Sequence, residues 1–167
     1  MANRPDNIVL TGMPGSGKST VGVLLAKRLG FGFVDTDLLI QQKAGRTLQE
    51  IVDAEGYLAL RAIEEEVLLE LAVERHIIST GGSAVYSQQA MAHLKQDGEV
   101  VFLDIPLDEM MRRIGDHSLR GISRGPAQSF TDLFQERFAL YQHYCDVWVK
   151  ASGLNQDEVC ETVIAAL

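Results

Sequence analysis

Eight consecutive residues near the start of the chain, Gly12-Met-Pro-Gly15-Ser16-Gly17-Lys18-Ser19, have the spacing of a loop that holds phosphate. Glycines at 15 and 17 let the backbone turn successive N–H groups inward, where they cradle phosphate oxygens. A helix starting at Lys18 would aim its positive end at the same point. Lys18 is then placed to reach the β- and γ-phosphates of ATP, and the Ser19 hydroxyl to ligate Mg²⁺. Every position of G-x-x-x-x-G-K-[ST] is matched between a strand and a helix, which a chance glycine-rich turn does not require.

Other chemistry-bearing residues follow at intervals. Asp35 and Asp37 stand two residues apart at the end of a strand-like run. On an extended chain they would point the same way, one carboxylate toward the metal and the other toward an acceptor hydroxyl. Aspartate is also a favoured helix N-cap, and one of the two can do both jobs. Arg61 has Glu64 and Glu65 at i+3 and i+4. The spacing fits an ion pair along a helix, and it equally fits a planar fork for a substrate carboxylate. Gly81-Gly82 follow the third strand, where a side chain would block a ligand's approach to the backbone; a plain turn fits too. Arg112, Arg113, Arg120, Arg124 and Arg137 crowd one stretch of an acidic chain. Such arginines suit a lid that closes on phosphates, with one or two left as solvated surface. The four histidines have no metal spacing, and no Ser/His/Asp set is readable.

The elements that must carry these residues alternate. Ile8–Leu10, Phe31–Val34, His76–Ser79, Glu99–Ile105 and Val147–Val149 are apolar runs of strand length. Between them lie helical patterns at 18–29, from about Leu38 to Gly45, at 87–96, 108–114 and 131–144, and after Asn155. Thr47 and Glu50 form a capping-box pattern that opens a short helix. Tyr57 to Glu74 is the longest helical pattern, with Leu60, Ile63, Val67 and Leu71 on one face. The stretch 115–129 has neither period and reads as a mobile lid. Continuous apolar strands in βαβ alternation predict an α/β fold with a parallel sheet covered on both faces. Ligands of such sheets sit at the C-terminal ends of the strands, where each motif above falls.

The 167 residues fit one domain, 1–167. With 46% hydrophobic residues, 23% charged and no low-complexity run, the composition is that of an ordinary globular protein. A net charge of −8 argues against general affinity for nucleic acid or acidic membrane, so an anionic ligand needs a local basic pocket. Two distant cysteines, Cys145 and Cys160, read as reduced thiols. Met1 to Asn7 has no apolar core behind it and no apolar run approaches a membrane span, so the expected location is the cytoplasm.

In this order and spacing the motifs resemble the shikimate kinase family over nearly the whole chain. The phosphate loop, Asp35-Thr-Asp37, Arg61 with Glu64, Thr80-Gly81-Gly82, Arg120 and the segment Glu136-Arg137-x-x-Leu-Tyr141 carry the resemblance. It implies a P-loop three-layer sandwich with five parallel strands in the order 2-3-1-4-5. The implied reaction moves the γ-phosphate of ATP to the 3-hydroxyl of shikimate. Asp37 would act as base, and Asp35 would hold Mg²⁺ through water. Arg61 and Arg137, with Gly81 and Gly82, would bind the acceptor and clamp its carboxylate. Gly12, Gly15, Ser16, Gly17, Lys18, Ser19 and Thr20 would hold the nucleotide, Arg113 would lie against adenine, and Arg120 would contact the moving phosphate.

Departures from the family pattern cluster on the acceptor side. Ser83 replaces its third glycine, Arg120-Gly121-Ile122 replaces Arg-Pro-Leu, and Leu60 and Val52 stand where two pocket phenylalanines are usual. A kinase of the same build acting on another hydroxy acid, such as homoserine, would keep Arg61, Arg137 and Asp37 while changing that wall. A nucleotide-binding module without turnover would have no need of Lys18, Ser19, Asp35, Asp37 and Arg120 together. No unexplained apolar stripe marks a subunit interface, so a monomer is expected.

Overall fold

The computed structural model describes residues 5–115 and 122–167. Its centre is β1 (Asn7–Thr11), buried along its whole length. β3 (His76–Ser79) and β4 (Gly98–Asp104) flank it, and β2 (Gly32–Asp35) and β5 (Val147–Lys150) form the edges. All pairings are parallel and the order is β2-β3-β1-β4-β5, as the resemblance implied. Parallel strands need crossovers, and helices provide them. These are α1 (Lys18–Leu29), α2 (Thr36–Ala44), α3 (Leu48–Glu55), α4 (Tyr57–Glu70), α5 (Gln88–Asp97), α6 (Leu107–Ile114), α7 (Phe130–Tyr144) and α8 (Gln156–Ala166).

Register is what positions the site. Ser79 is level with Leu10 on one side and with Asp35 on the other. The C-terminal ends of β2, β3 and β1 therefore finish in one row, with the phosphate loop immediately beyond. The Thr80 hydroxyl donates to the Leu10 carbonyl at 2.8 Å and the Gly81 N–H to the Thr36 hydroxyl at 3.1 Å, tying the three strand ends together. Helix limits follow local chemistry. Gly30 and Gly45 close α1 and α2 with φ of 69° and 67°, a conformation glycine adopts without Cβ strain. The Thr47/Glu50 capping box is complete, and Asn155 forms a second one with Glu158.

Two helices differ from expectation. The apolar period of α4 continues through Leu71, yet the helix ends at Glu70 and is shorter than the 15-residue α7. Past Glu70 the freed carbonyls find other partners: Asn7 Nδ2 donates to Val73 O, and His93 Nε2 lies 2.7 Å from Leu71 O. α2 begins at Thr36, two residues before Leu38, because Asp35 caps it. A 3-10 turn, Ala84–Tyr86, also precedes α5, without a periodic signal of its own. Residues 116–121, which include His117, Arg120, Gly121 and part of the expected lid, lie outside the described residues.

Most buried apolar residues form one core around β1 and β4, while Ile40, Ile51, Leu60 and Val67 form a smaller one between α2, α3 and α4. Phe102 of β4 anchors the larger core, its ring centroid 5.1 Å from that of Tyr141 and 5.7 Å from that of Phe138. Phe102→Ala should therefore cost about 3–5 kcal/mol in a urea unfolding curve. A loss below about 1 kcal/mol would mean that this aromatic cluster does not anchor α7 to the sheet.

Candidate active site

Gly17 occupies the N-cap of α1 at φ 93°, and no side chain caps the first-turn N–H groups. They are free to meet an anion, as the motif requires. At Gly12 a Cβ would sit 2.8 Å from the Leu103 carbonyl, so the strand end passes too close to its neighbour for any side chain. Lys18, 8% exposed, folds over the loop and donates to the Gly12 and Met13 carbonyls at 2.8 and 2.9 Å, with Ser16 Oγ at 3.4 Å. Burial lowers its pKa to about 8, opposed by the nearby Asp37 charge and assisted by Arg137. It keeps its proton at neutral pH.

The loop separates two hollows. One is a cleft of about 510 Å³ lined by Gly15, Ser16, Gly17, Arg113 and Asn155, which suits the nucleoside end of ATP. There Arg113 is held by Glu109 at 2.6 Å. The other is a cavity of about 380 Å³ that meets Lys18, Ser19, Thr20, Asp37, Gly81 and Arg137. Arg112 stays at the surface, 3.9 Å from Asp108, and Arg124 donates to the Gln128 carbonyl.

The two aspartates divide their roles differently from an extended chain. Asp35 Oδ1 accepts from the Asp37 N–H at 3.0 Å, and Oδ2 accepts from the Ser19 hydroxyl at 2.6 Å. One carboxylate is both helix cap and partner of the P-loop serine. Ser79 Oγ lies 3.2 Å from Ser19 Oγ, adding a third hard oxygen that sequence reading did not single out. Asp37 lies in the first turn of α2, so it reaches the cavity by the strand-to-helix bend and not by strand alternation. Its carboxyl accepts no hydrogen bond from a described residue. Burial raises its pKa and the Asp35 charge adds to that, while Lys18 and Arg137 pull it down.

Arg61 is not bound to the glutamates of its own helix. Its Nε donates to Ser123 Oγ at 2.8 Å and its Nη2 to the Ser123 carbonyl at 3.3 Å, with the guanidinium 3.6 Å above the Tyr86 ring. Arg137, 1% exposed, donates to the same carbonyl at 2.7 Å. No described carboxylate lies within salt-bridge distance of it, and its buried Nε has no hydrogen-bond partner. Two guanidiniums thus converge on one oxygen, that of Ser123, which is 3% exposed. The sequence carried no signal for that serine beyond its place within the arginine-bearing segment, between Arg120 and Arg124.

Gly81 and Gly82 are packed tightly. A Cβ at Gly81 would come within 2.3 Å of Glu64 Oε2 and 2.6 Å of Asp37 Oδ1; at Gly82 it would meet Arg137 Nη1 at 2.5 Å. The Tyr141 hydroxyl donates to the Gly82 carbonyl at 2.6 Å. The aliphatic wall of the cavity is Ile40, Leu48, Leu60 and Ile122. Val52 does not line it and packs behind, against the small core, so the position expected of a pocket phenylalanine belongs to the interior. Arg120 lies outside the described residues.

Glu64, 3% exposed, is the most perturbed carboxyl facing the cavity. Burial pushes its pKa up to about 7 and Asp37 adds to this; the Ser83 hydrogen bond, Arg137 and Arg61 oppose them. A folded-state pKa raised this far favours folding at low pH, an advantage lost as pH rises through about 7. Glu64→Gln keeps the Ser83 contact and removes the buried charge. Its melting temperature should exceed the parent's by roughly 2–4 °C at pH 8.5 and match it at pH 5. Equal melting at both values would place Glu64 in a solvated setting.

Comparison with known proteins agrees with this geometry. The family model described as shikimate kinase matches residues 14–167. The shikimate kinase of Rhodococcus jostii is 36% identical over 163 residues, covering 95% of this chain and 96% of that one. That of Mycobacterium marinum is 40% identical over 163 residues, covering 95% and 88%. Among solved structures, shikimate kinase from Acinetobacter baumannii in complex with shikimate superposes with a TM-score of 0.85 at 30% identity, covering 96% of this chain and 92% of that one. The Aquifex aeolicus enzyme gives 0.81 at 33%, covering 96% and 95%. With its phosphate loop, paired aspartates and converging arginines in the family's order, the chain belongs to the shikimate kinase family.

Proposed function

We propose that this chain transfers the γ-phosphate of ATP to the 3-hydroxyl of shikimate. The observation that carries the reading is the convergence of Arg61 and Arg137 on the carbonyl of Ser123, a residue that lines the cavity with Arg137, Asp37 and Lys18, while Arg61 reaches it from the neighbouring cleft. A carboxylate taking the place of the Ser123 carbonyl would meet the buried guanidinium of Arg137 on one side and the half-buried one of Arg61 on the other. That contact fixes one end of the acceptor and leaves its hydroxyl to face Asp37. As the hydroxyl oxygen bonds to the γ-phosphorus, Asp37 takes its proton, and the bond from that phosphorus to the bridging oxygen breaks to release ADP. Lys18 and the N–H groups of the phosphate loop hold the charge on the phosphate oxygens.

Ser19 and Asp35, with Ser79 beside them, are hard oxygen donors of the kind that suits Mg²⁺, which keeps most of its waters and takes few protein ligands. When bound there the ion would neutralise charge on the β- and γ-phosphates. The enzyme works as a cytoplasmic monomer on a small-molecule acceptor. No described helix is long and apolar enough to cross a membrane. A second reading, with a slender acceptor such as homoserine, rests on the aliphatic wall of Ile40, Leu48, Leu60 and Ile122.

A coupled ADP-release assay against shikimate, homoserine, gluconate and a nucleoside monophosphate separates the readings. Turnover of shikimate alone is expected, whereas turnover of homoserine without shikimate would transfer the assignment to the second reading. Asp37→Asn should lower kcat by about 100-fold or more with KM for ATP nearly unchanged. Because the Asp37 pKa is raised in the unliganded protein, the acid limb of the parent's kcat/KM profile should lie above the ordinary aspartate range, and the variant should lose it. A rise in KM for ATP alone would put Asp37 in the metal site.

A further inference from the structure

Ser83 directly follows Gly81 and Gly82 just past the end of β3, and its side chain is not idle. Its hydroxyl donates to Glu64 Oε1. Ser83 is 8% exposed and its backbone, φ −97°, needs no glycine. Both residues line the acceptor cavity and also a neighbouring cleft of about 320 Å³ that reaches Arg61, Leu68 and Tyr86. They form a shared wall between the two.

From this placement we infer that Ser83 is a positioning residue for the acceptor, acting through Glu64. By holding one carboxyl oxygen, it turns the other toward Gly81 and Asp37, where the reacting hydroxyl must sit. Glu64 Oε2 and Asp37 Oδ1 both come within 2.6 Å of one point beside Gly81, and neither takes a hydrogen bond from a described residue. Two oxygens so placed suit an acceptor with a second hydroxyl next to the one phosphorylated. Without the Ser83 hydroxyl, the Glu64 carboxyl is free to swing into the neighbouring cleft. A methylene-bound hydroxyl at this wall also narrows the space that glycine leaves open.

The groups facing Glu64 set the sign of the effect. Asp37 of α2 disfavours its charge. Arg137 of α7 and Arg61 of its own helix favour it, Lys18 of α1 stands across the cavity, and Tyr141 lies behind. The Ser83 hydrogen bond favours the ionised form, so its removal should raise the pH at which Glu64 titrates.

The inference rests on the acceptor reading above, and its test is chosen to fail separately. Ser83→Gly and Ser83→Ala would be compared with the parent in two measurements. The first is the acceptor KM and kcat, with whichever acceptor of the panel the parent turns over. KM should rise about three- to tenfold while kcat changes less than twofold, the split expected when a hydrogen-bonded positioning contact is lost. The second is the pH titration of the Glu64 carboxyl carbon by NMR in the protein without substrate. Its midpoint, about 7 in the parent, should move to higher pH in both variants. An unmoved midpoint, or an unchanged KM for an acceptor that reacts, would overturn the inference. A moved midpoint would stand even if none of the four acceptors reacted, and would then count against the acceptor reading alone.

Discussion

A guanidinium buried to 1% exposure with no carboxylate of the described residues beside it is expensive, and Arg137 is in that position. Among the described residues its charge is offset at a distance, by Asp37 and Glu64, while Lys18 adds a second buried cation to the same cavity. The Ser123 carbonyl supplies a dipole and not a charge. An arrangement of this kind is at its most favourable when an anion enters. The remaining features of the cavity follow from holding Arg137 in readiness: Tyr141 fixes the Gly82 backbone, Gly82 leaves room for the guanidinium, and Ser123 gives both arginines a common partner.

The same electrostatic frame explains why two carboxylates coexist next to Lys18. Asp37 must be ionised to accept a proton, and the two cations favour its charge. Glu64, deeper and bound by Ser83, titrates near neutrality, so it gives up its charge more readily when Asp37 holds one. On the other side of the phosphate loop the chemistry is simpler. Arg113 is held by Glu109 along α6, and the cleft is shaped by glycines and the start of α8.

Much of this was legible in the sequence because it depended on local spacing. The phosphate loop, the glycine stops of α1 and α2 and the alternation of apolar runs each require only near neighbours. Long-range partners were not legible. Nothing in the spacing of Arg61 and Glu64 says that the arginine prefers Ser123, 62 residues away, or that the glutamate prefers Ser83. Asp37 was recognised as a cavity residue, but strand alternation was the wrong account of its aim, since Asp35 caps a helix that starts at once. The α4 limit was missed because Leu71 extends the apolar period while packing on the core in an extended conformation. Val52 was misplaced since an apolar residue in a short helix can face a pocket or an interior, and periodicity does not separate them.

The carboxylate requirement of the arginine pair is the centre of the account, and it is open to direct measurement. The parent enzyme would be assayed for kcat/KM with shikimate and with its methyl ester, at saturating ATP and Mg²⁺. Loss of the acceptor charge leaves buried Arg137 and half-buried Arg61 without an anion, so the ester should be slower by about a thousandfold or more. An ester used within about tenfold of the acid would contradict the clamp and move the recognition of the acceptor elsewhere in the cavity.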